Sequence, residues 1–420
     1  MMDLVLCFIF SVLVVLYASW VLLLLYPKRE KSRDYFPGLS IIIPAHNEEG
    51  IIGTTVESVL SARYPGEKEI IVINDGSTDK TKEIVERMAK QNSNVRIYNI
   101  KHGGKANALN FGIRNSKHEI IVTLDADSKL EKDSLIKIVK PFSDERVGGV
   151  SGIIRALHSK NPLTWFQDFE YILSSGWRFV CDKVNGTYIF PGFAAFRKKA
   201  LLEVGGFNKD TLCEDFDIGV RLRKSGYKLV MSNSVIYTKV PETITGLCKQ
   251  RIRWGRGTIQ VLRKHYDVIL NKTYGAMSLY GIPTQIYWFF HGFVYIPIII
   301  YQILGGYLKY FAIYGNYFSF DVVRYFFSWF SIYGMIEYVY RTITGEYDIN
   351  LLFYLLITMF ALYLIYDLLL LIRMSNLSIR YLFVIFFYFP YSVFTLGMHT
   401  FAFLYELRNE KVENKWGKNK

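Results

Sequence analysis

The chain has 420 residues, of which 51% are hydrophobic and 16% aromatic, and its 50 Lys and Arg against 37 Asp and Glu leave a net charge of +13. That length holds one sizeable domain and more besides, the apolar residues gather in long runs that point to a membrane, and the basic balance suits nucleic acid, anionic lipid or phosphate-bearing substrates without choosing among them. The four cysteines (Cys7, Cys181, Cys213, Cys248) have no metal-ligand spacing and do not suggest a disulfide framework, so reduced thiols and a cytoplasmic catalytic portion are expected.

Residues 4–26 carry no charge and are long enough to span a bilayer. The run is too long for a cleaved signal peptide and no basic residue precedes it. The basic "PKREKSR" follows, so the positive-inside rule places the N-terminus outside and the next block inside, with 1–30 as an N-terminal membrane helix.

Residues 35–240 read as an α/β domain. "LSIIIPAH", "KEIIVIND", "VRIYNI" and "HEIIVTLDAD" are apolar strand runs, separated by helical stretches such as "DKTKEIVERMAKQ" and "KANALNFGIRNS". This alternation predicts a parallel sheet covered by helices, with ligands at the C-terminal strand ends. Those ends carry His46-Asn47-Glu48, Asp75, Asp125 and Asp127. A dinucleotide-binding domain would need GxGxxG after the first strand, where this chain has "PAHNEEG".

"INDGSTDKT" places Asp75 in a tight turn, where it can accept hydrogen bonds from a ligand, while Asp79 is suited to capping the next helix. "HGGKANALN" puts Lys105 at a helix start, an arrangement that suits phosphate. "LDADS" sets Asp125 and Asp127 at a strand end. Carboxylates so close repel unless a cation intervenes, and hard oxygen ligands favour Mg²⁺ or Mn²⁺ bridging to substrate phosphates. "LCEDFDIGV" holds Glu214, Asp215 and Asp217 at a helix start; three acids exceed what a cap needs, and Asp215 is the candidate general base.

Residues 241–275 form an amphipathic interfacial segment around "KQRIRWGRG". Membrane anchoring explains Arg251 or Lys264 well. It does not explain Gln250 with Arg253 and Trp254, because arginine can hold a diphosphate bidentately and tryptophan gives a sugar ring a flat apolar face. Four spans are expected within 278–405, near 281–304, 321–343, 350–372 and 378–404, followed by a basic cytoplasmic tail at 406–420. Because the basic cluster abuts the membrane, nucleic acid is not an expected partner.

Together these segments resemble the membrane-embedded family 2 glycosyltransferases, which include cellulose, chitin, hyaluronan and poly-N-acetylglucosamine synthases. The resemblance covers about residues 39–258 and the flanking spans. "DAD" is similar to the family's DxD, "CED" to its TED with Cys213 in place of Thr, and "QRIRW" to its QxxRW, in the same order. "GKANALN" and "PETITGLCKQRIRW" look most like the poly-N-acetylglucosamine branch. The resemblance implies a GT-A fold, a Rossmann-like mixed sheet, in a cytoplasmic domain joined to an α-helical transmembrane bundle. It also implies inverting transfer from a UDP-sugar, UDP-GlcNAc before UDP-Glc, to a growing polysaccharide that crosses the membrane.

By the same resemblance Ala45, Glu48 and Asp75 line the uridine site and Lys105 meets the diphosphate. Asp125 and Asp127 hold the nucleotide and its metal, and Asp215, with Glu214 beside it, is catalytic. Gln250, Arg253 and Trp254 close over the diphosphate and acceptor, and Gly192, Phe193 and Phe196 form the acceptor side. Membrane lipids are expected partners. A small accessory membrane subunit is admissible, although the sequence carries no trace of one. The rivals are a single-addition enzyme with a lipid acceptor and, from another class, a transporter with a nucleotide-sensing domain, for which Glu337, Asp367 and His399 are the ionisable candidates within the spans.

Overall fold

A computed structural model of the chain describes residues 2–27, 35–157, 159–375 and 378–408. The basic segment at 28–34, on which the orientation argument rests, and the basic tail beyond Arg408 lie outside the described residues. After the apolar helix α1 (Met2–Leu25) the chain enters β1 (Leu39–Ala45), α2 (Ile52–Ser61), β2 (Lys68–Asp75), α3 (Thr81–Gln91), β3 (Val95–Ile100), α4 (Lys105–Asn115) and β4 (Ile120–Leu124). These four strands are parallel, side by side as β3-β2-β1-β4. Their continuous Ile/Val runs suit strands covered on both faces: every residue of β1 is buried.

The second half is β5 (Ser128–Leu130), α5 (Ser134–Val139), β6 (Val147–Ala156), α6 (Pro162–Lys183), β7 (Phe193–Arg197), α7 (Lys198–Glu203), α8 (Glu214–Lys224) and β8 (Lys228–Thr238). The full sheet runs β3-β2-β1-β4-β7-β6-β8-β5, with β7 antiparallel to both β4 and β6. The result is the mixed, GT-A-like sheet that the resemblance implies. In that register Leu124 faces Phe193, so the chain just after β4 meets the chain just before β7, and the Asp125 amide donates to the Gly192 carbonyl at 3.1 Å. Gly192 holds φ +60, which a β-carbon would strain.

Beyond the sheet lie α9 (Ile244–Lys264), α10 (Ile282–Tyr310), α11 (Phe320–Phe330), α12 (Tyr333–Ile343), α13 (Leu351–Met374), α14 (Ile379–Phe386) and α15 (Tyr388–Arg408). Among the described residues three helical stretches are long and apolar enough to cross a membrane: Leu4–Leu25, Met277–Tyr314 and Leu351–Met374. A fourth is reached only if the pair Ile379–Phe386 and Tyr388–Glu406, bent by 63°, counts as one span. The expected span at 321–343 is instead two helices of 11 residues. Each rises about 16 Å, half of a ~30 Å hydrocarbon core, so neither crosses alone.

Contacts made by paired, largely buried arginines join the apolar helices to the rest of the chain. Arg155 of β6 is gripped through Nε and Nη2 by Asp168 of α6, each at 2.9 Å, and donates to the Met374 carbonyl at the end of α13. Arg256 of α9 meets Glu406 of α15 at 2.7 Å. Pairs of this kind fix geometry more than they add stability, because desolvation offsets much of their attraction.

Candidate active site

The acid after β4 and the acid that starts α8 converge on one lysine. Gly104, at φ +87, opens α4, so Lys105 stands at its first turn and turns back across the sheet edge. Its Nζ lies 2.7 Å from Asp125 Oδ1 and 3.1 Å from Glu214 Oε1, and it also acts electrostatically on Asp215. Elements distant in sequence, β4, α4 and α8, therefore converge on one ammonium group.

The two neighbouring acids at the start of α8 separate chemically. Desolvation would raise Glu214, but Lys105 close by and Arg253 farther off hold it below the usual carboxylate range. Desolvation and the adjacent Glu214 charge push Asp215 up to about 6, against the pull of Lys105, the Phe216 amide and Arg253. Asp215 Oδ1 accepts from the Phe216 amide at 2.9 Å, its one hydrogen bond among the described residues. Glu214 is thus neutralised by an ion pair, while Asp215 is the carboxyl kept basic enough to take a proton near neutral pH. The third acid, Asp217, is fully buried and serves the fold: Arg221, Lys264 and His265 surround it at 2.7, 2.8 and 2.9 Å.

Asp125 is raised by desolvation and by the Asp127 charge, against the pull of Lys105. Asp127 Oδ1 accepts from Thr238 Oγ1 at 3.1 Å. Neighbouring carboxylates, each partly buried beyond the end of β4, have the hard-oxygen donor set that suits a divalent ion sharing substrate phosphates, and the residues fit such an ion. Trp254 packs on the core cluster that includes Ala126 and Tyr171, its ring 6.1 Å from that of Tyr171, which feels the Asp127 charge. Arg253 is exposed and acts on Glu214 and Asp215. The DAD and QRIRW segments therefore border the same cleft.

Other expected residues sit differently. Asp75 is fully buried, and its oxygens accept from the Gly103 and Gly104 amides at 2.8 and 2.9 Å. It clamps the loop that leads to Lys105 instead of standing free to meet a base. Ala45 is fully buried at the end of β1 and presents no surface to a ligand. Glu48 caps the turn after β1, its amide donating to Thr81 Oγ1 at 2.8 Å.

Phe193 and Phe196 were expected on the acceptor side, but both are buried in the sheet. Phe196 packs on Phe190 and Phe207. Burial on both faces of β7 leaves only Gly192 at the rim, where an added Cβ would lie 3.4 Å from Asp125 Oδ2. Arg251 and Lys264, expected as membrane anchors, are instead paired within the protein: Arg251 with Glu170, and Lys264 with Asp210 and Asp217.

Sequence reasoning missed two features. His46 and His102 stack with ring centroids 4.3 Å apart, and both Nδ1 atoms donate to the Asp75 carbonyl. With the Asp75 carboxylate their donor atoms lie within 4.8 Å of one another, a grouping able to hold a metal. The available signal was a histidine just past the ends of β1 and β3. Glu170 and Tyr171 of α6, which face α9, left no comparable signal.

A family model described as glycosyl transferase family 2 matches residues 40–205. Over 249 residues, 58% of this chain, the sequence is 35% identical to a poly-beta-1,6-N-acetyl-D-glucosamine synthase of Staphylococcus epidermidis, covering 59% of that protein. It is 32% identical over 247 residues to the protein of the same name from Staphylococcus aureus (strain MSSA476), covering 57% of this chain and 59% of that one. The chain thus spans about three fifths of the length of the curated relatives it matches. Among solved structures, the mannosyltransferase PcManGT from Pyrobaculum calidifontis in complex with GDP-Man and Mn²⁺ aligns with a TM-score of 0.55 and 26% identity, covering 63% of this chain and 75% of that one.

Proposed function

We propose, from the match of residues 40–205 to the model of glycosyl transferase family 2, that the chain transfers N-acetylglucosamine from UDP-N-acetylglucosamine, with inversion, to a growing polysaccharide. UDP-glucose is the next donor in order. The observation that carries the reading is the Lys105 junction, with Asp125 and Glu214 on the ammonium and Asp215 and Arg253 beside it. The polysaccharide acceptor and the N-acetylglucosamine donor are supported by the relatives' names, and a nucleotide sugar with a divalent ion by the contents of the neighbouring structure.

In this mechanism Asp215 takes the proton of an acceptor hydroxyl as its oxygen attacks the anomeric carbon opposite the diphosphate. The bond from that carbon to the diphosphate oxygen breaks, and UDP leaves with the electron pair. Lys105 and Arg253 face the charge that develops on the leaving group, and preorganised charge of this kind is usually the largest catalytic contribution. Asp125 and Asp127 would hold Mg²⁺ or Mn²⁺, which when bound supplies further neutralisation of the diphosphate. Trp254 offers the acceptor sugar a flat face. On this reading the chain lies in the cell membrane with its catalytic domain on the cytoplasmic side; helices long and apolar enough to cross a bilayer support the membrane placement and suit passage of the product.

A lipid acceptor is the second reading. A groove of about 440 Å³ at the junction of α6, α9 and the α14–α15 bend, lined by Leu163, Phe166, Ile244, Phe387 and Pro390, is apolar enough for an acyl chain. For the transporter reading, one of the three ionisable candidates, Glu337, is paired with Arg324 and Arg341 at 2.8 and 2.9 Å.

The test is release of nucleotide from UDP-N-acetylglucosamine, UDP-glucose and GDP-mannose by the full chain in detergent, with and without Mg²⁺ or Mn²⁺. We expect metal-dependent UDP release, fastest with UDP-N-acetylglucosamine, and a product ladder on a gel. One discrete lipid product would favour the second reading. No release from any donor would end both.

A further inference from the structure

α9 carries a buried cation that the transfer mechanism above does not use. Arg251, between Gln250 and Arg253, is fully buried. Its Nε donates to Glu170 Oε1 at 3.1 Å and its Nη2 to Glu170 Oε2 at 2.5 Å. Nη2 also reaches the Tyr391 hydroxyl at 3.3 Å, and Tyr391 itself donates to Glu170 Oε2. Nη1 donates to Gln250 Oε1. The guanidinium carbon lies 4.4 Å from the centre of the Trp254 ring and 5.9 Å from that of Tyr171. One side chain therefore touches α6 of the catalytic domain, α9, α15 of the bundle, and two of the motif residues that border the cleft.

Burying a guanidinium is costly unless its donors are met and its charge is paired. Here Glu170 meets the charge through a forked contact, and the planar face is left to stack on Trp254. Lysine would supply the charge but neither the fork nor the plane. We propose that Arg251 is a positioning residue. It sets the pose of Trp254 and Gln250 over the donor cleft and makes that pose depend on Glu170 of the catalytic domain and Tyr391 of the bundle. The inference rests on the nucleotide-sugar transfer proposed above. Arg251 touches no reacting atom; it acts through the two residues that do the holding.

The experiment uses the full chain in detergent, with UDP-N-acetylglucosamine as donor, and compares Arg251→Lys and Tyr391→Phe with the unaltered protein. Turnover, donor KM, UDP binding and thermal midpoint are read for each. Arg251→Lys is expected to lose ~10²-fold in kcat, as for misplacement by about an ångström, with donor KM and UDP binding little changed. Tyr391→Phe is expected to lose about threefold in kcat, for one weak hydrogen bond, at an unchanged thermal midpoint. The two losses should not multiply in the double variant, since both act through one guanidinium.

Wild-type kcat in Arg251→Lys overturns the proposal. If Arg251→Lys does not fold, Tyr391→Phe decides: a lowered midpoint with unchanged kcat means the junction only stabilises, and the proposal falls. If the unaltered chain releases no nucleotide from any donor, the parent reading fails and takes this one with it; activity in the unaltered chain with a normal Arg251→Lys removes this one alone.

Discussion

At the residue scale the decisive contrast is between Glu214 and Asp215. They are neighbours in sequence on the first turn of α8, yet Lys105 holds one as a neutralised partner while burial and its neighbour's charge lift the other to about 6. A general base must be ionised to act, so transfer should fall roughly tenfold per pH unit below about 6 and level off above it. The linked stability effect has the opposite sense. Between pH 3.8 and about 6 the folded chain holds the Asp215 proton that the unfolded chain has released, so this group's contribution to stability declines as pH rises through that window. Asp215→Asn is expected to lose at least ~10²-fold in rate and to lose the acid limb of the pH profile, while UDP still binds. Near-normal transfer by that variant would remove Asp215 from the base role.

At the element scale the cleft depends on how closely α9 lies against the start of α8. Gly257 faces Cys213, and a β-carbon at 257 would sit 2.3 Å from Cys213 Sγ and 2.9 Å from its backbone nitrogen. The neighbouring turn is tied by Cys213 Sγ, which donates to the Trp254 carbonyl at 3.7 Å. Backbone cannot yield as a flexible side chain does, so Gly257→Ala should push α9 outward and cost about 1–3 kcal/mol, seen as a lower thermal midpoint. Because Arg253 and Trp254 ride on the same helix, transfer should drop with it. An unchanged midpoint and rate would mean that the helices are not in contact there. The local sequence shows an amphipathic segment at 241–275 and a helix start at Glu214, but not that the two meet.

At the scale of the whole molecule the catalytic domain and the apolar helices are joined by buried contacts, which restrict how the chain can lie in a bilayer. The Met374 carbonyl accepts from Arg155 of the sheet, so the C-terminal end of α13 is on the catalytic-domain side. Its 24 residues rise about 36 Å, enough to carry Asn350 to the other face. If α10 and α13 are the crossing helices of the C-terminal half, an even count of spans returns the chain to its starting side without a full crossing by α11–α12 or α14–α15. A cysteine at Glu346 should then react with an impermeant maleimide in intact cells, and one at Lys272 only after permeabilisation. Labelling of both from the same side would exclude this arrangement.

The sequence by itself determined the first four strands, the helices between them and what stands at their ends. Those strand runs, the helix starts and the acids at the end of β2, just after β4 and at the start of α8 follow from short-range patterning, because whether a residue is buried in a strand or begins a helix depends chiefly on neighbours a few positions away. Which of these residues meet was decided by the tertiary structure. Arg251 looks like a membrane-facing base until Glu170, 81 residues away, and Tyr391, 140 residues away, close around it. Phe193 and Phe196 look like ligand contacts until antiparallel pairing of β7 between β4 and β6 buries them. The convergence of Lys105, Asp125 and Glu214 on one point is of the same kind. Desolvation and charge pairing depend on distance in space, and a linear sequence carries that distance only where the chain is too short to turn.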